Sequence, residues 1–201
     1  MKLENQHARR KQIEAVAYEV LADKGYKATS MLAIAKRAKA SNETLYNWYG
    51  SKQTLFRSLV EANALEVTEL LKHSIEDKAP IKQTLERLGP VLLRMVTGDR
   101  AIALSRAAAA DADETGTLGQ TLSKAGRESV VPFVVEALEL ARDRSELSFD
   151  NTGEVAELYL NVLIGDLQIR RAIGACPMLT DAEIRHRAER ALTVLKTVYG
   201  G

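Results

Sequence analysis

An all-α architecture follows from three features of this 201-residue chain. Apolar residues recur at i, i+3, i+4 and i+7 over most of its length, and no sustained alternation of period two interrupts them. Gly, Pro and short polar clusters cut these runs into pieces of helical length. Hydrophobic residues make up 46% of the composition, enough to bury a sizeable core in one domain or in a small one fused to a larger one. Charge favours the second arrangement. Residues 1–60 hold eleven Lys or Arg against five Asp or Glu, and residues 61–201 hold seventeen against twenty-two, so the basic end is the one suited to a polyanion.

A first helix is expected over residues 7–24, where Ile13, Val16, Ala17, Val20 and Leu21 share a face and Gly25 supplies the stop. Thr29 and Ser30 are good N-caps for a second, short helix carrying Met31, Ile34, Ala35 and Ala38. Ser41 caps a third over residues 42–49, with Leu45 and Trp48 or Tyr49 on one side and Asn42, Glu43, Thr44, Tyr46 and Asn47 including the exposed ones. Two short helices joined by about three residues suit a helix-turn-helix. Gly50 is a left-handed stop, and Ser51 caps a fourth helix that runs through Leu55, Phe56, Leu59, Val67, Leu71 and Ile75 towards Pro80. At about 27 residues it would span roughly 40 Å and could link two domains. Further helices are expected over residues 81–97, 100–113, 117–144, 152–175 and 180–199, with Gly89-Pro90 interrupting the first of these and Pro132 kinking the third.

The run Gly25-Tyr26-Lys27-Ala28-Thr29-Ser30-Met31, then Ile34-Ala35, Ser41, Thr44-Leu45-Tyr46 and Ser51-Lys52 with Leu55-Phe56, resembles the DNA-binding signature of the TetR/AcrR family of transcriptional regulators. Three positions depart from that pattern: Lys39 and Ala40 stand where Gly and Val are common, and Glu43 where a small residue is frequent. Lys39 is therefore expected in a left-handed conformation, at about 1 kcal/mol relative to Gly. The resemblance implies a three-helix helix-turn-helix DNA-binding domain over residues 1–51. A long helix would join it to a C-terminal helical ligand-binding and dimerisation domain over residues 52–201. It implies a repressor that binds a palindromic operator as a homodimer and is released when a small-molecule effector tilts the connecting helix.

Asn42, Glu43, Thr44 and Asn47 lie near the N-terminal end of the third helix and suit base edges, since Asn can pair with adenine and a Thr methyl can meet that of thymine. Thr29 or Ser30, Tyr46 and Lys52 suit phosphate oxygens, Lys36 and Lys39 add nonspecific attraction, and Ser41 is a further DNA-binding candidate. A dimer interface is expected from Leu158, Val162, Gly165 and Ile169 on one helix and Ala188, Leu192 and Leu195 on the next, paired with their copies in a four-helix bundle. Leu92, Met95, Ser105, Ala108, Phe133, Val134 and Leu163 are the candidate lining of an effector site.

His7, His73 and His186 lie far apart, Cys176 has no adjacent His, and neither a phosphate-cradling Gly-rich loop nor paired metal-ligand spacing occurs. No catalytic residue, metal or cofactor is expected. A single cysteine excludes an intramolecular disulfide and fits a reducing compartment, and without a signal-peptide core or a long apolar run the expected location is the cytoplasm, away from membranes. The alternative reading is a DNA-binding scaffold whose C-terminal bundle holds a partner protein and answers to no small molecule.

Overall fold

The computed structural model describes residues 2–200, with side chains from residue 6 onward. Among these residues the chain forms eleven α-helices and one π-helical turn, and no strand. The helices are α1 (Lys2–Ala28), α2 (Met31–Arg37), α3 (Asn42–Tyr49), α4 (Lys52–Glu76), α5 (Ile81–Thr97), α6 (Asp99–Asp111) and α7 (Thr117–Leu122). After the π turn Ser123–Arg127 come α8 (Glu128–Asp143), α9 (Thr152–Ile164), α10 (Leu167–Ala172) and α11 (Asp181–Tyr199). They divide into two compact units: Met1–Ala62 with Ala103–Ala125, and Asn63–Ile102 with Gly126–Gly201. A boundary at residue 51/52 was expected. The first unit instead keeps the start of α4, because Leu55, Phe56 and Leu59 are fully buried in its core, and it also takes Leu104, Ala107, Ala108 and Leu118 from α6 and α7.

In the first unit, Ile13, Ala17, Val20 and Leu21 of α1 pack with Ile34 and Ala35 of α2 and Leu45 of α3. The regular part of α1 ends at Gly25, whose φ of 71° suits glycine, and one more turn leads to α2. Ser30 caps α2 and Ser41 caps α3, each accepting from the backbone N–H three residues on. Between them Lys39 adopts φ 51°, the strained left-handed conformation expected of it. Arg9 clamps this turn from α1: its Nη2 donates to the carbonyl oxygens of Ala38 at 2.9 Å and Lys39 at 2.7 Å.

In the second unit, Leu85, Leu88 and Leu92 of α5 meet Val134 and Leu138 of α8, Val155 and Tyr159 of α9, and Ile184 and Leu195 of α11. Helix α5 runs unbroken through Gly89-Pro90. Gly89 is where α5 and α11 come closest: a Cβ there would lie 2.7 Å from the Cβ of Ala188. Pro80 offers α5 no side-chain cap, and the orphan N–H of Ile81 is taken by Glu146 Oε2 at 2.7 Å from 65 residues away. Arg144 completes the joint by donating to Lys78 O at 2.9 Å.

Three sequence expectations change. The helix expected over residues 117–144 is α7, the π turn and α8 in succession. The one expected over residues 152–175 is cut at Gly165, with φ 53° and ψ −132°, so Gly165 ends a helix rather than letting two approach. Arg187 fills the break, donating to the carbonyls of Leu163 and Ile164 that the helix end leaves open. The stripe Ala188, Leu192 and Leu195, expected to face a partner subunit, is 5%, 8% and 1% exposed and belongs to this unit's own core. These three residues of α11 are covered by their own unit, whereas Val198 of the same helix is 56% exposed.

Two substitutions test these contacts. Gly89→Ala should overpack the α5–α11 contact and lower stability by about 1–3 kcal/mol, read as a fall in the denaturant midpoint at constant slope. Lys39→Gly should relieve about 1 kcal/mol of left-handed strain, less the greater unfolded-state entropy of glycine, and so raise the thermal midpoint slightly.

Candidate nucleic-acid interface

Helix α3 has only eight residues and depends on its surroundings for stability. Leu45 is fully buried and Tyr49 6% exposed, so these two seat the helix on the core. Burial pushes the Tyr49 phenol up to about 12, with Glu14 adding to the rise and Arg10 opposing it. The opposite side is open: Asn42, Glu43, Tyr46 and Asn47 are exposed and Thr44 is half-buried. Tyr46 keeps 49% of its surface, a large value for an aromatic in a small folded unit. Ser41 Oγ and Thr44 Oγ1 lie 2.7 Å apart, and Ser41 accepts from Thr44 N–H, so both hydroxyls are fixed at the start of α3. Trp48 is half-buried with the Arg10 guanidinium 5.6 Å from its ring centroid, which places a cation from α1 beside α3.

The phosphate candidates separate. Ser30 and Lys39 are exposed. Thr29 is corrected: it is 1% exposed, its hydroxyl donates to Gly25 O at 2.7 Å and its N–H donates to Tyr26 O, so both donors are engaged within the fold. Lys52 is half-buried at the start of α4, with Nζ 2.8 Å from Tyr26 O and 4.0 Å from the Tyr26 ring centroid. Burial lowers its pKa, and the carboxylate of Asp111 works against that fall. Sequence reading missed the Arg9 clamp, the Arg10–Trp48 contact and Asp111, since nothing local in the sequence marks a partner tens of residues away.

The candidate effector residues are divided between the units. Leu92, Val134 and Leu163 are buried in the core of the second, and Met95 and Phe133 pack against it, with Lys72 Nζ 5.2 Å from the Phe133 ring. Ala108 lies in the core of the first unit, and Ser105 is in the same stretch of α6. Of the dimer candidates, Leu158 and Val162 are half-buried, Gly165 is exposed, and Ile169 is 67% exposed. Cys176 is partly exposed and shares a surface cleft of about 270 Å³ with Arg170, His186 and Arg190, whereas Arg171 is engaged by Thr97 O and Asp99. Among the described residues no helix is long and apolar enough to cross a membrane, and no three His, Cys, Asp or Glu gather as a metal site.

Residues 13–59 match the family described as bacterial regulatory proteins, tetR family, and residues 83–201 match the AefR-like transcriptional repressor C-terminal domain. The fatty acid metabolism regulator protein of Bacillus subtilis strain 168 is 26% identical over 156 residues, which are 78% of this chain and 64% of that protein. The chain thus spans somewhat less than two thirds of that relative. A TetR-family transcriptional regulator from Mesorhizobium loti MAFF303099 superposes with a TM-score of 0.77 at 22% identity, over 97% of this chain and 98% of the other. The regulator FadR from Bacillus subtilis, in complex with stearoyl-CoA, superposes with a TM-score of 0.70 at 16% identity, over 92% and 96% of the two chains. These two superpositions establish the shared fold. With one family description over the helix-turn-helix and another over more than half of the chain, this protein belongs to the TetR family of transcriptional regulators.

Proposed function

We propose that the chain is a homodimeric repressor that reads a palindromic operator with α3 and is released by a small-molecule effector. The observation that carries the DNA part is the two-sided character of α3: Leu45 and Tyr49 are buried while Asn42, Glu43, Tyr46 and Asn47 are open on a basic head. Asn42, Glu43, Thr44 and Asn47 read base edges, and Ser30, Lys39, Ser41, Tyr46 and Lys52 hold phosphates. One such head makes too few contacts for a defined site, so two are needed, about one turn of DNA apart. Leu158, Val162 and the exposed Ile169 supply the dimer contact, Ile169 being an apolar side chain with little reason to face water.

For the effector, the fatty acid metabolism regulator is a relative whose name points to a chemical class, and a fatty acyl compound is the class to test first. An apolar chain also suits the aliphatic interior of the second unit, where Leu92, Val134 and Leu163 lie.

The test is selection of DNA sites from a random duplex pool by the purified protein, with the mass of the resulting complex measured. A palindrome bound by a dimer is the expected result. It then serves as the probe for release by a panel of acyl-CoA thioesters against free fatty acids. A stable dimer that enriches no sequence, with or without those compounds, would overturn the reading in favour of a partner-protein scaffold. On the selected site, Tyr46→Ala should weaken binding by about 1 kcal/mol or more, and Lys52→Ala should weaken it on every sequence and reduce the salt slope by about 1. Unchanged affinity and slope in both variants would remove these two from the interface.

A further inference from the structure

The turn that closes α2 decides where α3 begins. The Ala40 N–H returns to Ala35 O at 2.9 Å and the Lys39 N–H to Lys36 O at 3.2 Å, the closure in which a helix ends on a left-handed residue, usually glycine. Lys39 holds that place at φ 51°. The carbonyls of Ala38 and Lys39 go to a single group outside the turn. Arg9 Nη2 donates to Ala38 O at 2.9 Å and to Lys39 O at 2.7 Å, and Arg9 Nη1 donates to Gln12 Oε1, which orients the guanidinium from within α1. Helix α1 also grips the last residue of α2, where Arg37 Nη1 meets Asp23 Oδ2 at 2.5 Å. The Lys39 carbonyl belongs to the peptide that leads through Ala40 into Ser41, the cap of α3, so fixing that carbonyl fixes the direction in which α3 departs. A guanidinium suits the position twice over: its charge faces the negative end of the α2 dipole, and its planar fork reaches two neighbouring carbonyls, which a lysine ammonium meets only as a point charge.

We infer that Arg9 is a positioning residue for DNA reading: by holding Ala38 O and Lys39 O it keeps the left-handed turn closed and sets the angle at which α3 presents Asn42, Tyr46 and Asn47. The inference rests on the proposed reading of DNA by α3. In this role Arg9 spends its donors on carbonyls of its own chain and acts through α3, while the exposed Lys39 side chain stays available to a phosphate. The two residues are coupled through the backbone. A lysine at left-handed φ pulls the turn towards other conformations, and Arg9 opposes that pull; a glycine would hold the same turn unaided. Arg9 therefore matters to the recognition helix because residue 39 carries a side chain.

The experiment measures binding of the full-length protein to its selected operator over a range of salt concentrations. It compares the wild type, Arg9→Ala, Arg9→Lys, Lys39→Gly and Arg9→Ala with Lys39→Gly, each checked for folding by its thermal midpoint. Arg9→Ala is expected to weaken binding roughly tenfold, the weight of a lost charged hydrogen bond. Arg9→Lys keeps the charge but not the fork and should lose nearly as much; it replaces Arg9→Ala throughout should that variant fail to fold. Lys39→Gly gives up a phosphate cation and lowers the salt slope by about 0.9, yet in that background Arg9→Ala should cost less than about threefold. Full affinity in Arg9→Lys would reduce Arg9 to a plain cation and overturn the inference, as would an equal loss from Arg9→Ala with and without Lys39. If the wild type selects no operator, the reading of DNA by α3 fails and this inference with it, whereas an operator bound equally well by Arg9→Ala sinks the inference alone.

Discussion

Helix α3 can offer a polar face outward only because its inner face is fixed. Eight residues cannot sustain a helix in water, and the segment must draw its stability from burial. Leu45, fully enclosed, supplies about 1.5–3 kcal/mol by leaving water, and Tyr49 adds to it. Against this stands the left-handed Lys39, at about 1 kcal/mol. Burial wins, and the Arg9 bonds to Ala38 O and Lys39 O keep the strained turn from relaxing. The open face of α3 is thus a by-product of packing: moving Leu45 would rotate Asn42, Tyr46 and Asn47 with it.

In the second unit close approach of helices adds to capping. At Gly89 the missing Cβ lets α5 lie against Ala188 of α11, and Tyr159 donates to Leu85 O at 3.4 Å across the same region. Some helix ends are closed from a distance. Glu146 caps α5, and Arg187 satisfies the last carbonyls of α9. Helices α9 and α11 are capped locally, α9 by Asn151 and α11 by the reciprocal Thr180–Glu183 box, in which the Thr180 N–H holds the Glu183 carboxyl below its usual range.

This contrast explains what could be read in advance. Ser30 and Ser41 cap helices in the sequence as in the structure, and Lys39 stood out because the TetR/AcrR pattern commonly has Gly at that turn position. These are local rules. Periodicity identified Ala188, Leu192 and Leu195 as one stripe, but a stripe does not say whether its own chain or a copy will cover it, and α5 and α9 got there first. Thr29 was open to two uses, cap or phosphate ligand, and the carbonyl of Gly25 took its hydroxyl. Glu146 and Arg187 act on residues 65 and 24 positions away, beyond any spacing rule, and each required the fold to be found.

The family descriptions and the packing divide the chain differently. The C-terminal description begins at residue 83 and includes residues 103–125, which nonetheless belong to the unit that carries α3. The chain therefore passes between units three times: inside α4 after Ala62, inside α6 after Ile102, and inside the π turn after Ala125. Two crossings lie within α-helices, whose continuous hydrogen-bond ladders resist bending. The third lies in a π turn, whose wider ring is the costlier and more deformable form of helix.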